Sequence, residues 1–258
     1  MKGMEVISRI RRDYILHLLQ QGKRVDGRAF DQFRTVTVEK GLIKTANGSA
    51  MVKIGGTQVM AGVKIEKGEP FPDQPEEGIL VVNAELLPLA SPTFEPGPPS
   101  EEAIELARVV DRGIRESKCI ELEKMAITPG EEVWTVFIDI YVLDHDGNLI
   151  DASALAALSA LIDTKPPADE AWKLPGFSLR KFPVAVTLAK INGQLLVDPC
   201  LEEEQVMDAR LTMTFTEDGA LCAMQKGGSG SLTREDVERA FRMARQKSEE
   251  LRRLAGGP

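Results

Sequence analysis

Residues 132–162, EVWTVFIDIYVLDHDGNLIDASALAALSALI, change period partway along, and that change decides the fold. Glu132–Leu143 is rich in β-branched and aromatic residues and reads as one long strand. Asp144–Asn148 collects the residues of a turn. Ala152–Ile162 then sets alanines and serines between leucines, a small-residue helix suited to close packing against a sheet.

Outward from this stretch the same order, strands and then a helix, occurs twice. Upstream, Thr35–Glu39, Ile43–Thr45, Ser49–Ile54 and Gln58–Ile65 alternate as strands, with hairpin turns expected at Asn47-Gly48 and Gly55-Gly56. Gly78–Leu87 reads as a further strand, and proline-rich residues 88–99 as an ordered loop. Before all of these, residues 5–21 carry Val6, Ile10, Tyr14 and Leu18 at helical spacing, and Gly22 stops that helix. Downstream of a proline-marked connection (Lys165–Pro183) come Val184–Ile191, Gln194–Val197, Leu211–Thr216 and Ala220–Gln225, with turns at Asn192-Gly193 and Asp218-Gly219. A last helix spans about Leu232–Leu254, with Thr233 and Asp236 as a capping box and Val237, Phe241 and Ala244 as its apolar stripe. The pattern predicts an α+β fold of two similar βαβα halves sharing one core. A helix over residues 1–22 precedes the body at 23–258, whose halves meet near 165 (about 23–165 and 166–258).

Within the first half, between Gly78–Leu87 and Glu132–Leu143, lies a helix with two unlike faces. Ser100 is its expected N-cap, and Glu101 and Glu102 occupy the first turn, where the helix dipole favours negative charge. Ala103, Ala107, Val110 and Ile114 form its core face. Arg108, Arg112 and Arg115 fall within an arc of roughly 60° on the other side. Guanidinium forks donate paired hydrogen bonds and suit phosphodiesters or carboxylates. Surface ion pairs with Glu105, Asp111 and Glu116 are the alternative use of the same arginines.

Composition narrows the function classes. The chain has 258 residues and a net charge of −8, which argues against a broad basic nucleic-acid surface but leaves room for a narrow one. Cys119, Cys200 and Cys222 are odd in number without CxxC spacing, and read as reduced thiols rather than a disulfide frame or zinc site. His17 and His145 form no metal-ligand pattern. The longest apolar-rich run, Ala152–Ile162, falls well short of the ~20 residues of a membrane span. The expectation is a soluble, cytoplasmic protein with no membrane contact and no cofactor or metal.

Two further stretches carry possible chemistry. Residues 196–211, LVDPCLEEEQVMDARL, hold Asp198, Glu202, Glu203, Glu204 and Asp208 between two strands. Such a cluster binds a hard cation, supplies a general acid, or is simply a solvated acidic loop. Gly227–Ser231 lies between a strand and a capped helix, the place where backbone amides cradle a phosphate in other folds. It lacks the Lys-Ser/Thr ending of a P-loop, and a glycine-rich turn accounts for it.

Arg24-Val25-Asp26-Gly27-Arg28, the helix stretch Ile104–Arg112 and residues 196–213 together resemble, in order and spacing, the RNase PH family of phosphorolytic exoribonucleases, and most closely its non-catalytic members in the archaeal exosome. The resemblance runs over essentially the whole chain and implies an RNase PH-like fold. Active members carry an arginine pair before the isoleucine-glutamate step of the central helix, where this chain has Glu101 and Glu102. Their Gly-Ser/Thr-Arg tripeptide, which holds the attacking phosphate, corresponds to Gly147-Asn148-Leu149. Their two late aspartates correspond to Glu204 and Arg210. Each change opposes catalysis: acids repel a phosphate dianion, leucine donates no hydrogen bond, and a guanidinium does not give up its proton.

The resemblance therefore implies a catalytically silent subunit. It implies pairing with an active RNase PH-like subunit, closure of three such pairs into a hexameric ring, S1/KH-type RNA-binding cap subunits, and single-stranded RNA in the central channel. Arg108, Arg112 and Arg115 are the expected RNA-backbone contacts, and Lys64 and Lys67 are either further channel charge or solvated lysines. Three rival readings stay open: an active phosphorolytic enzyme using Glu204 and Asp208, a metal-dependent hydrolase using Glu202, Glu203, Glu204 and Asp208, and a purely architectural subunit.

Overall fold

The computed structural model describes residues 9–257, with side chains from Arg12 onward. After helix α1 (Arg9–Gln20), the first half contains β1 (Val36–Lys40), β2 (Gly48–Ile54), β3 (Thr57–Gly68), β4 (Ile79–Leu86), α2 (Glu101–Glu116), β5 (Ala126–Thr128), β6 (Glu132–Asp144) and α3 (Leu149–Asp163). Its strands run in the order β1-β2-β3-β6-β4, with β5 also on β6. The long strand anticipated at 132–143 is the spine of this sheet. It pairs antiparallel with β3 from Gln58↔Asp144 to Gly68↔Val133 and parallel with β4 on its other edge. The parallel pairing requires a crossover, and α2 lies on it.

The second half contains β7 (Val184–Ile191), β8 (Gln194–Val197), α4 (Leu201–Glu204), β9 (Ala209–Phe215), β10 (Leu221–Gly227) and α5 (Arg234–Ala255). These four strands form an antiparallel sheet in the order β10-β9-β7-β8. Its two faces meet different helices. Gly113 of α2 faces Thr214, whereas Phe241 of α5 packs edge-on against the next residue, Phe215, at 5.1 Å between ring centroids.

Helix α3 joins the halves. It is apolar around nearly its whole circumference, as a helix enclosed on all sides must be. It packs on β2 and β3 of the first sheet and β7 of the second. Val52, Val63, Leu158, Val186 and Met213 accordingly belong to one continuous core. Its small residues let backbones approach closely: a Cβ at Gly48 would lie 2.3 Å from the Ala160 carbonyl.

A buried ionic clasp adds a second connection. Arg24, 2% exposed, donates through Nε and Nη2 to the two carboxylate oxygens of Glu203 at 2.9 and 2.5 Å. It also reaches the carbonyls of Val197 and Asp198, each at 2.8 Å. The Asp198 carboxylate accepts at Oδ1 from Arg34 Nη2 (2.7 Å) and Asn148 Nδ2 (2.8 Å). At Oδ2 it accepts from Arg28 Nη1, Arg34 Nε and the Arg34 amide, all at 2.9 Å. Burial opposes the charge, but the Arg34 guanidinium outweighs it and holds this carboxyl below the usual range. Arg34 also donates to the carbonyls of Asp146 and Gly147. The turn after β6 is thus tied through Arg34 to Asp198 of the other half.

Several local expectations change. Ile43–Thr45 is a turn rather than a strand: Ile43 donates to Ser49 Oγ and accepts from Ala46, leaving no ladder partner. Asn47-Gly48 is not a hairpin turn, because Asn47 bonds Val63 and Ile65 of β3 and Gly48 already belongs to β2. In α1 the core stripe is Ile15 and Leu19, while Tyr14 is exposed; Val6 and the side chain of Ile10 lie outside the described residues. Helix α3 starts at Leu149, three residues before the expected Ala152, and Leu201–Glu204 is a short helix within the supposed loop.

Asp198→Asn removes the buried carboxylate that Arg28 and Arg34 share and is expected to cost about 3–5 kcal/mol. Asp26→Asn, at the exposed carboxylate that accepts from Arg28 Nε at 2.6 Å, is expected to cost less than about 1 kcal/mol. Urea denaturation of both variants reads the difference as a lowered midpoint for the first alone.

Candidate functional site: an arginine face beside an acidic pocket

Helix α2 is capped as its sequence suggests, with Ser100 Oγ accepting from the Ala103 amide at 3.2 Å. Its buried face comprises Ala103, Leu106, Val109, Val110, Gly113 and Ile114, while the expected core residue Ala107 is only half-buried. The three arginines share the other side but differ in engagement. Arg108 is exposed and has no hydrogen bond or ion pair among the described residues. Arg112 donates from Nη1 to Gln225 Oε1 on β10 at 2.8 Å. Arg115 is held by Asp111, at 2.7 and 3.1 Å, and reaches the Leu80 carbonyl at 3.0 Å. The arc is real, but only Arg108 points a wholly unengaged guanidinium outward.

Next to this face opens a cavity of about 210 Å³, lined by residues of both halves that include Glu102, Glu105, His145, Asn148, Leu149, Thr187, Glu204 and Arg210. Positions matched by the resemblance at four separate places in the chain (102, 148–149, 204 and 210) therefore converge on one pocket; Glu101 is exposed and is not among its lining residues. Arg210, from β9, donates through Nη2 to Glu105 Oε1 at 2.5 Å. Its guanidinium lies over Gly227, where a Cβ would come within 2.8 Å of Nε. Nε itself is buried and unbonded.

The pocket floor is carboxylate-rich. Glu204 Oε1 accepts from the Asn148 amide at 2.8 Å, and burial pushes its carboxyl up to about 7. Behind it Asp151, fully buried, accepts from Asn148 and Thr187, and burial likewise raises it to about 7. His145 stacks on Phe94 at 5.4 Å, and burial first of all lowers its pKa, favouring the neutral ring. An arriving phosphate dianion would meet acids, a neutral imidazole and an arginine already paired. Electrostatics oppose its capture.

The acidic run does not act as one cluster. Glu203 faces inward to Arg24, Glu204 faces the pocket, and Asp208 Oδ2 caps the Asn192 turn at 2.9 Å. Among the described residues no three acidic, histidine or cysteine side chains converge as a metal-ligand set. The glycine-rich turn folds onto the start of β9, with Gly230 donating to the Asp208 carbonyl at 2.7 Å, so it is not an open cradle. Lys64 is exposed; Lys67 is paired with Asp169 at 3.0 Å and lies 5.7 Å from the Trp134 ring centroid. Glu105, His145 and Thr187 were not singled out as pocket residues by the sequence, and no local signal marks them.

Comparison with known proteins agrees with this geometry. Profiles of the 3′ exoribonuclease family match residues 32–167 (domain 1) and 181–247 (domain 2). The chain is 51% identical to the Exosome complex component Rrp42 of Thermococcus gammatolerans, over 98% of this chain and 97% of that protein. It superposes with a TM-score of 0.90 and 50% identity on a chain of the Archaeoglobus fulgidus exosome with RNA bound to the active site, covering 95% of this chain and 97% of that one. An archaeal exosome core chain gives a TM-score of 0.87 at 45% identity, covering 96% of each.

The raised carboxyl of Glu204 makes stability pH-dependent. A group that holds its proton more tightly folded than unfolded stabilises the fold at low pH, and that stabilisation is lost as pH rises from its ordinary 4.5 through about 7. Glu204→Gln keeps the oxygen that accepts from Asn148 and removes the titration. Between pH 5 and 8 calorimetry is expected to show the wild-type Tm falling further than that of the variant, by roughly 5–10 °C.

Proposed function

The chain belongs to the 3′ exoribonuclease (RNase PH) family, and on that footing we propose that it is the catalytically silent RNase PH-like subunit of an exosome, a phosphorolytic 3′→5′ exoribonuclease assembly. It pairs with an active RNase PH-like subunit, three such pairs close a hexameric ring, and S1/KH-type cap subunits feed single-stranded RNA into it. The ring works in the cytoplasm; no helix among the described residues is long and apolar enough to cross a membrane.

The observation that carries this reading is the charge inventory of the pocket. Glu102, Glu105 and Glu204 surround its single arginine, which is engaged by Glu105. Leu149 stands where active members have the phosphate-binding arginine, so phosphate has no counter-charge to enter for. The alternative of an independent phosphorolytic enzyme would need Asp208 in the pocket, and its carboxylate is committed to the Asn192 amide.

The arginine face supports a second role, contact with the RNA backbone through Arg108 and Arg112, with Arg115 joining if it exchanges Asp111 for a phosphate. Phosphate contacts position a strand without reading its bases, which fits a degradative assembly.

The purified chain alone is expected to show no phosphate-dependent shortening of single-stranded RNA, and addition of its active partner to start it. Release of nucleoside diphosphates by the isolated chain would overturn the silent assignment. Arg108→Ala combined with Arg112→Ala is expected to weaken RNA retention by the assembled ring and to flatten the logarithmic salt dependence by about 1.4, two contacts at about 0.7 each. Unchanged affinity and slope in that variant would remove the RNA role.

A further inference from the structure

The unpaired state of Arg108 has a structural cause. A helical arginine reaches residues three and four positions away. For Arg108 these are Ile104, Glu105, Asp111 and Arg112, so two acids lie within range of its guanidinium. Neither is available. Asp111 is bidentate to Arg115, and Glu105 is drawn across to the second half by Arg210 at 2.5 Å. Arg210 is the fixed member of that pair. It stands on β9, opposite Gly227 of β10, with its side chain 19% exposed against 40% for Glu105.

We infer that Arg210 is a positioning residue for RNA: by capturing Glu105 it keeps that carboxylate away from Arg108 and leaves the Arg108 guanidinium open to a phosphodiester. This rests on the RNA-contact reading above and adds a role that the loss of catalysis does not require. An arginine in the pocket of a silent subunit is then part of the RNA-binding surface, acting through the acid it removes. If Glu105 were released it would sit one turn before Arg108, in the i, i+3 arrangement that pairs opposite charges, and would compete with every incoming phosphate.

The test is fluorescence anisotropy of labelled oligoadenylate on the assembled ring without phosphate, read as affinity and as salt slope. Arg210→Gln is expected to weaken binding roughly three- to tenfold and to reduce the salt slope by about 0.7, one phosphate contact. Adding Glu105→Gln to that variant is expected to restore both quantities, which a purely structural role for Arg210 would not do. Ile104→Glu supplies an uncaptured acid four residues before Arg108 at a site 49% exposed, and is expected to weaken binding like Arg210→Gln, whereas Ile104→Gln is not.

Wild-type affinity and slope in Arg210→Gln, or a double variant as weak as the single, would overturn the inference. Should Arg210→Gln fail to fold, wild-type binding by Ile104→Glu overturns it instead. Loss of binding in the Arg108/Arg112 double alanine variant with no effect of Arg210→Gln rejects this inference alone. No effect in the double alanine variant rejects the RNA reading beneath it.

Discussion

The Asp198 carboxylate is the constraint on which the rest of the architecture depends. Two guanidiniums, a backbone amide and the Asn148 side chain converge on its two oxygens from three separate parts of the chain. Removing this carboxylate would strip every one of these donors of their shared acceptor at once, in a site with little water to replace it. Its partner Arg34 also holds the carbonyls of Asp146 and Gly147, and Asn148 in turn offers its amide to Glu204. The clasp therefore sets the geometry of the pocket floor as well as the seam between the halves. Groups so committed act as scaffold, and the chemistry is left to the residues around them.

Charge placement around α2 gives the acidic protein a local cationic face. The net charge of −8 describes the surface as a whole, but ion pairing decides which charges remain available. Along this one helix Asp111 engages Arg115, Gln225 steadies Arg112, and Arg210 takes Glu105, leaving Arg108 unengaged among the described residues. The pocket and the arginine face are thus coupled through a single acid, although they stand on opposite sides of the question of catalysis.

Much of this was legible in the sequence, for identifiable reasons. The spine strand at 132–143, the Gly55-Gly56 turn, the Ser100 cap and the Thr233–Asp236 capping box are local signals, and each is present as read. The segment Ile43–Thr45 misled because three alternating residues mimic a strand whether or not a neighbour exists to pair with it. The acidic run 202–204 hid a short helix, Leu201–Glu204, stabilised by the capping contact of Glu203 with Cys200 and by Arg24. Arg24 and Glu203 are 179 residues apart, and Glu105 and Arg210 are 105 apart. No periodicity records such pairings. The pocket positions at 102, 148–149, 204 and 210 were found only because the family's motifs marked them one by one.

Helix α3 gives the two-sheet plan a thermodynamic meaning. Because its alanine-rich surface is enclosed by β2 and β3 on one side and β7 on the other, neither sheet owns a complete interior. Separated at the connection near residue 165, the first portion would carry a greasy helix flank exposed to water and the second would lack the layer that covers its threonine-lined face. The apparent duplication is therefore one of topology, and the chain gains or loses its order as a single cooperative unit.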